Sequence, residues 1–148
     1  MTESTATVEI LATPEEVFAF LMSEKMNDIW KEWTTIKWTS DGPIAVGSTA
    51  HVVGVGRNKG GEWDIRVTEL VKNQRMTMRA VGTRRRALNS TNSFTLEPTT
   101  KGTKATYSID YEMKYSVLGK LFEALVARRE LEKADYKMLE NLKKALEA

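Results

Sequence analysis

The strongest constraint on this chain is one change of period. From Thr34 to Lys114 apolar residues tend to recur at every second position, and from Ser116 onward they recur at every third or fourth. The first pattern describes strands with one buried face, the second a helix with one buried stripe. Several short strands followed by one long helix leave that helix a single role, to cover the apolar face of the sheet. Leu118, Leu121, Phe122, Leu125, Leu131, Ala134, Met138, Leu142 and Ala145 mark the stripe. About 30 helical residues reach roughly 45 Å, whereas a ten-residue strand spans about 33 Å, so the helix is long enough to cross the whole sheet.

The strands read in order. Ile36 and Trp38 share a face before Ser40-Asp41-Gly42-Pro43 breaks the strand, and Thr49 to Gly56 is a strand whose inward phase Gly54 and Gly56 leave open. Asn58-Lys59-Gly60-Gly61 is a hairpin turn. Trp63, Ile65 and Val67 alternate with Asp64, Arg66 and Thr68, and Met76, Met78 and Ala80 alternate with Thr77 and Arg79. After a turn at Gly82 to Arg86, Asn92, Phe94 and Leu96 share one phase up to Pro98. Ala105, Tyr107, Ile109, Tyr111 and Met113 then lie opposite Thr106, Ser108, Asp110, Glu112 and Lys114. Upstream, Ala6, Val8 and Ile10 form a strand, and Thr13-Pro14-Glu15-Glu16 has the form of a capping box opening a short helix. A second short helix is expected from Lys25 to Lys31. The expected fold class is α+β, a curved antiparallel sheet of about seven strands in the order β-α-α-β6-α, as a single domain over residues 1–148.

Much chemistry is excluded by what the chain lacks. There is no cysteine, so disulfides and thiolate chemistry are out, and the single histidine, His51, makes a multi-histidine metal site impossible. Gly54-Val55-Gly56-Arg57-Asn58-Lys59 misses the third glycine of a dinucleotide fingerprint and leads into a strand. No basic segment followed by an apolar run opens the chain, and no apolar run spans a bilayer, so a cytoplasmic location is expected. The net charge of +2 does not mark a nucleic-acid binder. Asp64, Asp110 and Glu112 fall on the wet phase of their strands, so periodicity places no carboxylate inside; neither a catalytic residue, a metal nor a cofactor is expected.

Several segments carry a family resemblance: Ala12-Thr13-Pro14-Glu15-Glu16-Val17-Phe18, Gly42-Pro43-Ile44-Ala45-Val46-Gly47-Ser48, Val67-Thr68-Glu69-Leu70 with Arg75-Met76, and Leu125-Val126-Ala127-Arg128-Arg129-Glu130-Leu131 with Leu142-Lys143. In this order they resemble the START-like, or SRPBCC, superfamily (the Bet v 1-like helix-grip fold), and within it the polyketide cyclase/dehydrase and lipid-transport group. The chain departs from that pattern at Lys72-Asn73-Gln74, where relatives often carry proline. The resemblance implies a cavity between sheet and long helix that encloses an apolar small molecule or lipid; with no carboxylate placed inside by periodicity, a non-catalytic carrier or sensor is expected.

The inward phase nominates the lining: Trp38, Trp63 and Ile65, then Met76, Met78, Asn92 and Phe94, then Tyr107, Ile109, Tyr111 and Met113, with Leu121 and Leu125 from the helix. In a meander alternate turns share one end, which gathers Arg57, Lys59, Arg84, Arg85 and Arg86 into a basic end. The resemblance makes that end the entrance, drawing in an acidic amphiphile or touching an anionic membrane surface weakly. A monomer or weak homodimer is expected. The rival readings are a cyclase or dehydratase that polarises a carbonyl with Tyr107, Tyr111, Asn92 or His51, and a protein-interaction module of the chaperone-activator or quinone-biosynthesis type.

Overall fold

A computed structural model describes residues 2–84, 87–112 and 119–147, without the side chains of Thr2, Arg57, residues 119–128 and Leu131. Seven strands form one antiparallel sheet: β1 (Thr2–Ile10), β2 (Thr34–Trp38), β3 (Thr49–Gly54), β4 (Glu62–Val71), β5 (Arg75–Gly82), β6 (Ser90–Pro98) and β7 (Thr103–Tyr111). Their spatial order is β1-β7-β6-β5-β4-β3-β2, so every pair but the first is a hairpin between sequence neighbours. The exception explains the early helices. β1 lies on one edge and β2 on the other, and helix α1 (Pro14–Leu21) with a 3₁₀ segment, Glu24–Trp30, carries the chain across. The long helix α2 (Gly119–Glu147) follows the sheet, which gives the helix-grip α+β fold expected from the period change. Met113 and Ser116 lie outside the described residues.

Local chemistry sets the corners. Glu16 N donates to Thr13 Oγ1 at 3.2 Å, capping α1 behind Pro14. The Thr13 hydroxyl in turn donates to Glu16 Oε1 at 3.1 Å, so the carboxylate closes the box on the side chain, not the backbone. Asn73 adopts φ 62°, a left-handed turn conformation that asparagine tolerates and proline cannot reach. This accounts for the departure at Lys72-Asn73-Gln74. The β4–β5 register shifts between Val67 and Glu69, a bulge that bends the sheet around its contents.

Among the described residues the inner face is packed at one end and borders a cleft at the other. Val67, Met76, Phe94, Leu96 and Ala105 lie toward the end of the sheet away from the Arg84 turn and are at most 3% exposed. There they meet Val17 and Leu21 of α1, Met26 and Ile29 of the 3₁₀ segment, and Met138, Leu139 and Leu142 of α2 in one cluster. The helix packs chiefly on β1, the sheet's edge. Lys143 Nζ donates to Glu9 O at 2.9 Å, Leu11 N donates to Glu147 Oε2 at 3.1 Å, and Asn141 Nδ2 donates to Ile29 O at 3.2 Å, tying the last turns of α2 to β1 and the 3₁₀ segment. Leu142→Ala removes a fully buried wedge from this seat. The expected loss is about 2–5 kcal/mol of unfolding free energy, to be read from the urea midpoint at unchanged m-value.

Candidate functional site

Toward the opposite end of the strands the inner face borders a cleft of about 820 Å³. Trp63 and Ile65 of β4, Met78 and Ala80 of β5, Ser90 and Asn92 of β6, and Tyr107, Ile109 and Tyr111 of β7 line the sheet side. Thr34 and Ile36 of β2 and Val52 of β3 extend it, Met26, Trp30 and Trp33 close another side, and Glu130, Lys133, Ala134, Asp135 and Lys137 come from α2. The wall is held in place. Trp30 meets Tyr107 edge-on at 5.4 Å between centroids, Tyr107 meets Phe94 at 4.9 Å, and the Trp63 indole N–H donates to Leu88 O at 3.0 Å.

Of the inward residues read from the sequence, Trp63, Ile65, Met78, Asn92, Tyr107, Ile109 and Tyr111 border the cleft. Trp38, Met76 and Phe94 do not. Met76 and Phe94 are fully buried in the packed end, and Trp38 is spent on the 3₁₀ segment, its indole N–H donating to Asn27 Oδ1 at 3.2 Å. Alternation identifies the face but not the position along the strand, so it could not separate the two ends. Met113 lies outside the described residues, as do the side chains of Leu121 and Leu125. β3 resolves with Ala50 and Val52 inward and His51 outward.

On the outer face His51 Nδ1 lies 2.9 Å from Asp64 Oδ1, and its Nε2 lies 3.4 Å from Glu62. The hydrogen bond to Asp64 holds the imidazole pKa above its ordinary value, with the charges of Asp64 and Glu62 adding to it. Across the same face Arg79 donates to Glu112 at 2.6 Å, which holds that carboxyl below its ordinary value. His51 is thus turned away from the cleft and cannot polarise a carbonyl within it. The basic turns do meet at one end, where Thr83 N donates to Glu62 O. Lys59 is exposed there, but Arg84 pairs with Glu62 at 2.9 Å, so an acid offsets part of the expected cationic charge. The side chain of Arg57, together with Arg85 and Arg86, lies outside the described residues.

The residue that alternation in the sheet could not reveal is Asp135. It is 4% exposed on the inward side of α2, lines the cleft, and its Oδ2 accepts from Ser4 Oγ at 3.2 Å. A carboxylate therefore does stand inside, contrary to the reading from strand phase alone. Burial pushes its pKa from 3.8 to about 7; the Ser4 hydrogen bond acts against the shift and the charge of Glu132 with it. The signal was present in the helix: Asp135 stands four residues after Leu131, three before Met138 and seven before Leu142, on the apolar stripe itself. Among the described residues no cluster of His, Asp or Glu has the makings of a metal site, and no helix is long and apolar enough to cross a membrane.

A family model described as polyketide cyclase/dehydrase and lipid transport matches residues 1–147. Among solved structures, TTHA0849 from Thermus thermophilus is similar at a TM-score of 0.79 and 19% identity, over 98% of this chain and 97% of that one. Ara h 8.0201 is similar at 0.71 and 12%, over 98% and 97%. The Aha1 dimer from Colwellia psychrerythraea is similar at 0.67 and 24%, over 99% and 96%. A search of curated proteins finds no match.

The buried carboxyl has a thermodynamic signature. With its pKa raised in the folded state, the native chain binds more protons than the unfolded one between pH 3.8 and about 7. Stability contributed by this group therefore falls as pH rises through that window. The limiting penalty above pH 7 is on the order of 4 kcal/mol. Asp135→Asn is expected to gain on the order of 4 kcal/mol of stability relative to the wild type as pH rises from 4 to 8, measured by urea denaturation across that range.

Proposed function

This chain belongs to the polyketide cyclase/dehydrase and lipid-transport family, and on that basis we propose that its cleft encloses an apolar small molecule or lipid, the protein acting as carrier or sensor. The observation that carries this reading is the composition of the wall. Trp30, Trp63, Ile65, Met78 and Ile109 present apolar surface to a space of about 820 Å³, within the range of roughly 300–1,000 Å³ common to small-molecule sites. Methionine and tryptophan walls suit ligands of irregular apolar shape.

A second reading, a cyclase or dehydratase, is favoured by one observation. A carboxyl titrating near neutral pH inside a cleft has the property required of a general acid or base. Conversion of a polyketide-like ketone by the wild type and its loss in Asp135→Asn would move the assignment from carrier to enzyme.

The carrier reading is tested with Nile red, whose fluorescence rises in apolar surroundings. The wild type is expected to bind it saturably, and Met78→Asp or Ile109→Asp to weaken binding at least tenfold, since each places a charge on the wall. Val81→Asp, on an exposed outer position of the neighbouring strand face, is expected to leave the titration unchanged. Equal binding by all four folded proteins would remove the cleft from the account.

A further inference from the structure

Two of the buried polar groups that line the cleft, Tyr107 and Asp135, are set as a donor and an acceptor. Ser90 Oγ donates to Asn92 Oδ1 at 2.7 Å, which orients the amide so that Asn92 Nδ2 donates to Tyr107 Oη, also at 2.7 Å. The Tyr107 oxygen thus already accepts, and its own O–H is left to donate. Among the described residues no acceptor lies within hydrogen-bond distance of it, although the residue is only 1% exposed. Burial raises the phenol pKa well above its ordinary value, and the nearby charge of Asp135 raises it further, so Tyr107 keeps its proton at any physiological pH.

Asp135 is the complement. Its Oδ2 accepts from Ser4, while Oδ1 has no hydrogen-bond partner among the described residues. The charged groups around it are Glu132 on its own helix and the cleft-lining Glu130, Lys133 and Lys137; β1 contributes neutral Ser4 and β7 neutral Tyr107. A buried donor and a buried acceptor, each left short of a partner, carry a desolvation cost that a ligand would relieve.

We propose that Tyr107 and Asp135 form a hydroxyl-recognition site in the cleft, so that the ligand is an apolar molecule bearing an alcohol or phenol, whose oxygen accepts from Tyr107 Oη and whose O–H donates to Asp135 Oδ1. The proposal rests on the cleft being a ligand cavity. Other head groups fit less well. A ketone satisfies Tyr107 and leaves Asp135 without a donor, an ammonium satisfies Asp135 and leaves Tyr107 without an acceptor, and a carboxylate sets like charge against Asp135. The site therefore disfavours the acidic amphiphile expected from the basic turns.

Three probes of similar size separate these roles by calorimetry at pH 8: 2-naphthol donates and accepts, 2-methoxynaphthalene only accepts, and 2-methylnaphthalene does neither. The wild type is expected to bind 2-naphthol about tenfold more tightly than 2-methylnaphthalene, as one or two net hydrogen bonds allow, with 2-methoxynaphthalene between them. Asp135→Ala is expected to erase the preference for 2-naphthol over 2-methoxynaphthalene, and Tyr107→Phe the preference for 2-methoxynaphthalene over 2-methylnaphthalene. The readout is a ratio of affinities within one protein, so a general change in the cleft cancels, and the two substitutions test the site independently. Equal binding of all three probes by the wild type, or preferences that survive both substitutions, would overturn the hydroxyl site and leave the cavity standing. Binding of none of the three would overturn the cavity and the hydroxyl site together.

Discussion

The seating of the last turns of α2 on β1 decides what the rest of the molecule is able to do. Met138, Leu139 and Leu142 are fully buried against residues of β1, α1 and the 3₁₀ segment, and Lys143, Glu147 and Asn141 add hydrogen bonds to backbone groups at the same end. The last turns of α2 close the packed end of the curved face, and toward the other end Asp135 lines the cleft. The same strands serve both ends. On β5 Met76 is core while Met78 belongs to both core and wall, and on β7 Ala105 is core while Ile109 and Tyr111 border the cleft. On these strands core and cleft share the same elements, and Met78 and Tyr107 belong to both.

That division gives meaning to a carboxyl on the buried stripe of α2. An apolar residue at position 135 would extend the buried face of Met138 and Leu142, and would avoid a desolvation penalty that grows as pH rises toward 7. The chain instead keeps an acid there, steadied by one hydroxyl from Ser4, and faces it with a tyrosine whose oxygen is already engaged by Asn92. A buried acid retained at a cost to stability is what the proposed hydroxyl site would require.

Much of the fold was legible in the sequence because alternation and helical spacing report which face of an element is buried. Trp63, Ile65 and Tyr107 point inward as Asp64, Arg66 and Thr106 point out, and the Thr13-Pro14 opening of α1 stands where the residues place it. The site was legible only in part. Strand phase carries no information on depth along the strand, so Trp38, Met76 and Phe94 were grouped with wall residues although they fill the packed end. Trp30 and Trp33 reach the cleft from irregular or 3₁₀ backbone, where no period exists to read. Asp135 was hidden for a different reason: a charge within a highly charged helix resembles its solvated face until its spacing from Leu131 and Met138 is counted. Glu62 stands at the edge of the basic turns in the sequence, and the pairing of β4 and β5 places it beside Arg84.

The central claim, that the open end of the grip is where a molecule is held, is tested most directly by the indole N–H signals of the four tryptophans in nitrogen-15 NMR during titration with 2-naphthol. Trp30, Trp33 and Trp63 border the cleft, whereas Trp38 is bonded to Asn27 at the packed end. The expected result is saturable movement of the first three signals with the fourth held in place. Movement of Trp38 alone, or no saturable movement of any indole, would contradict the account.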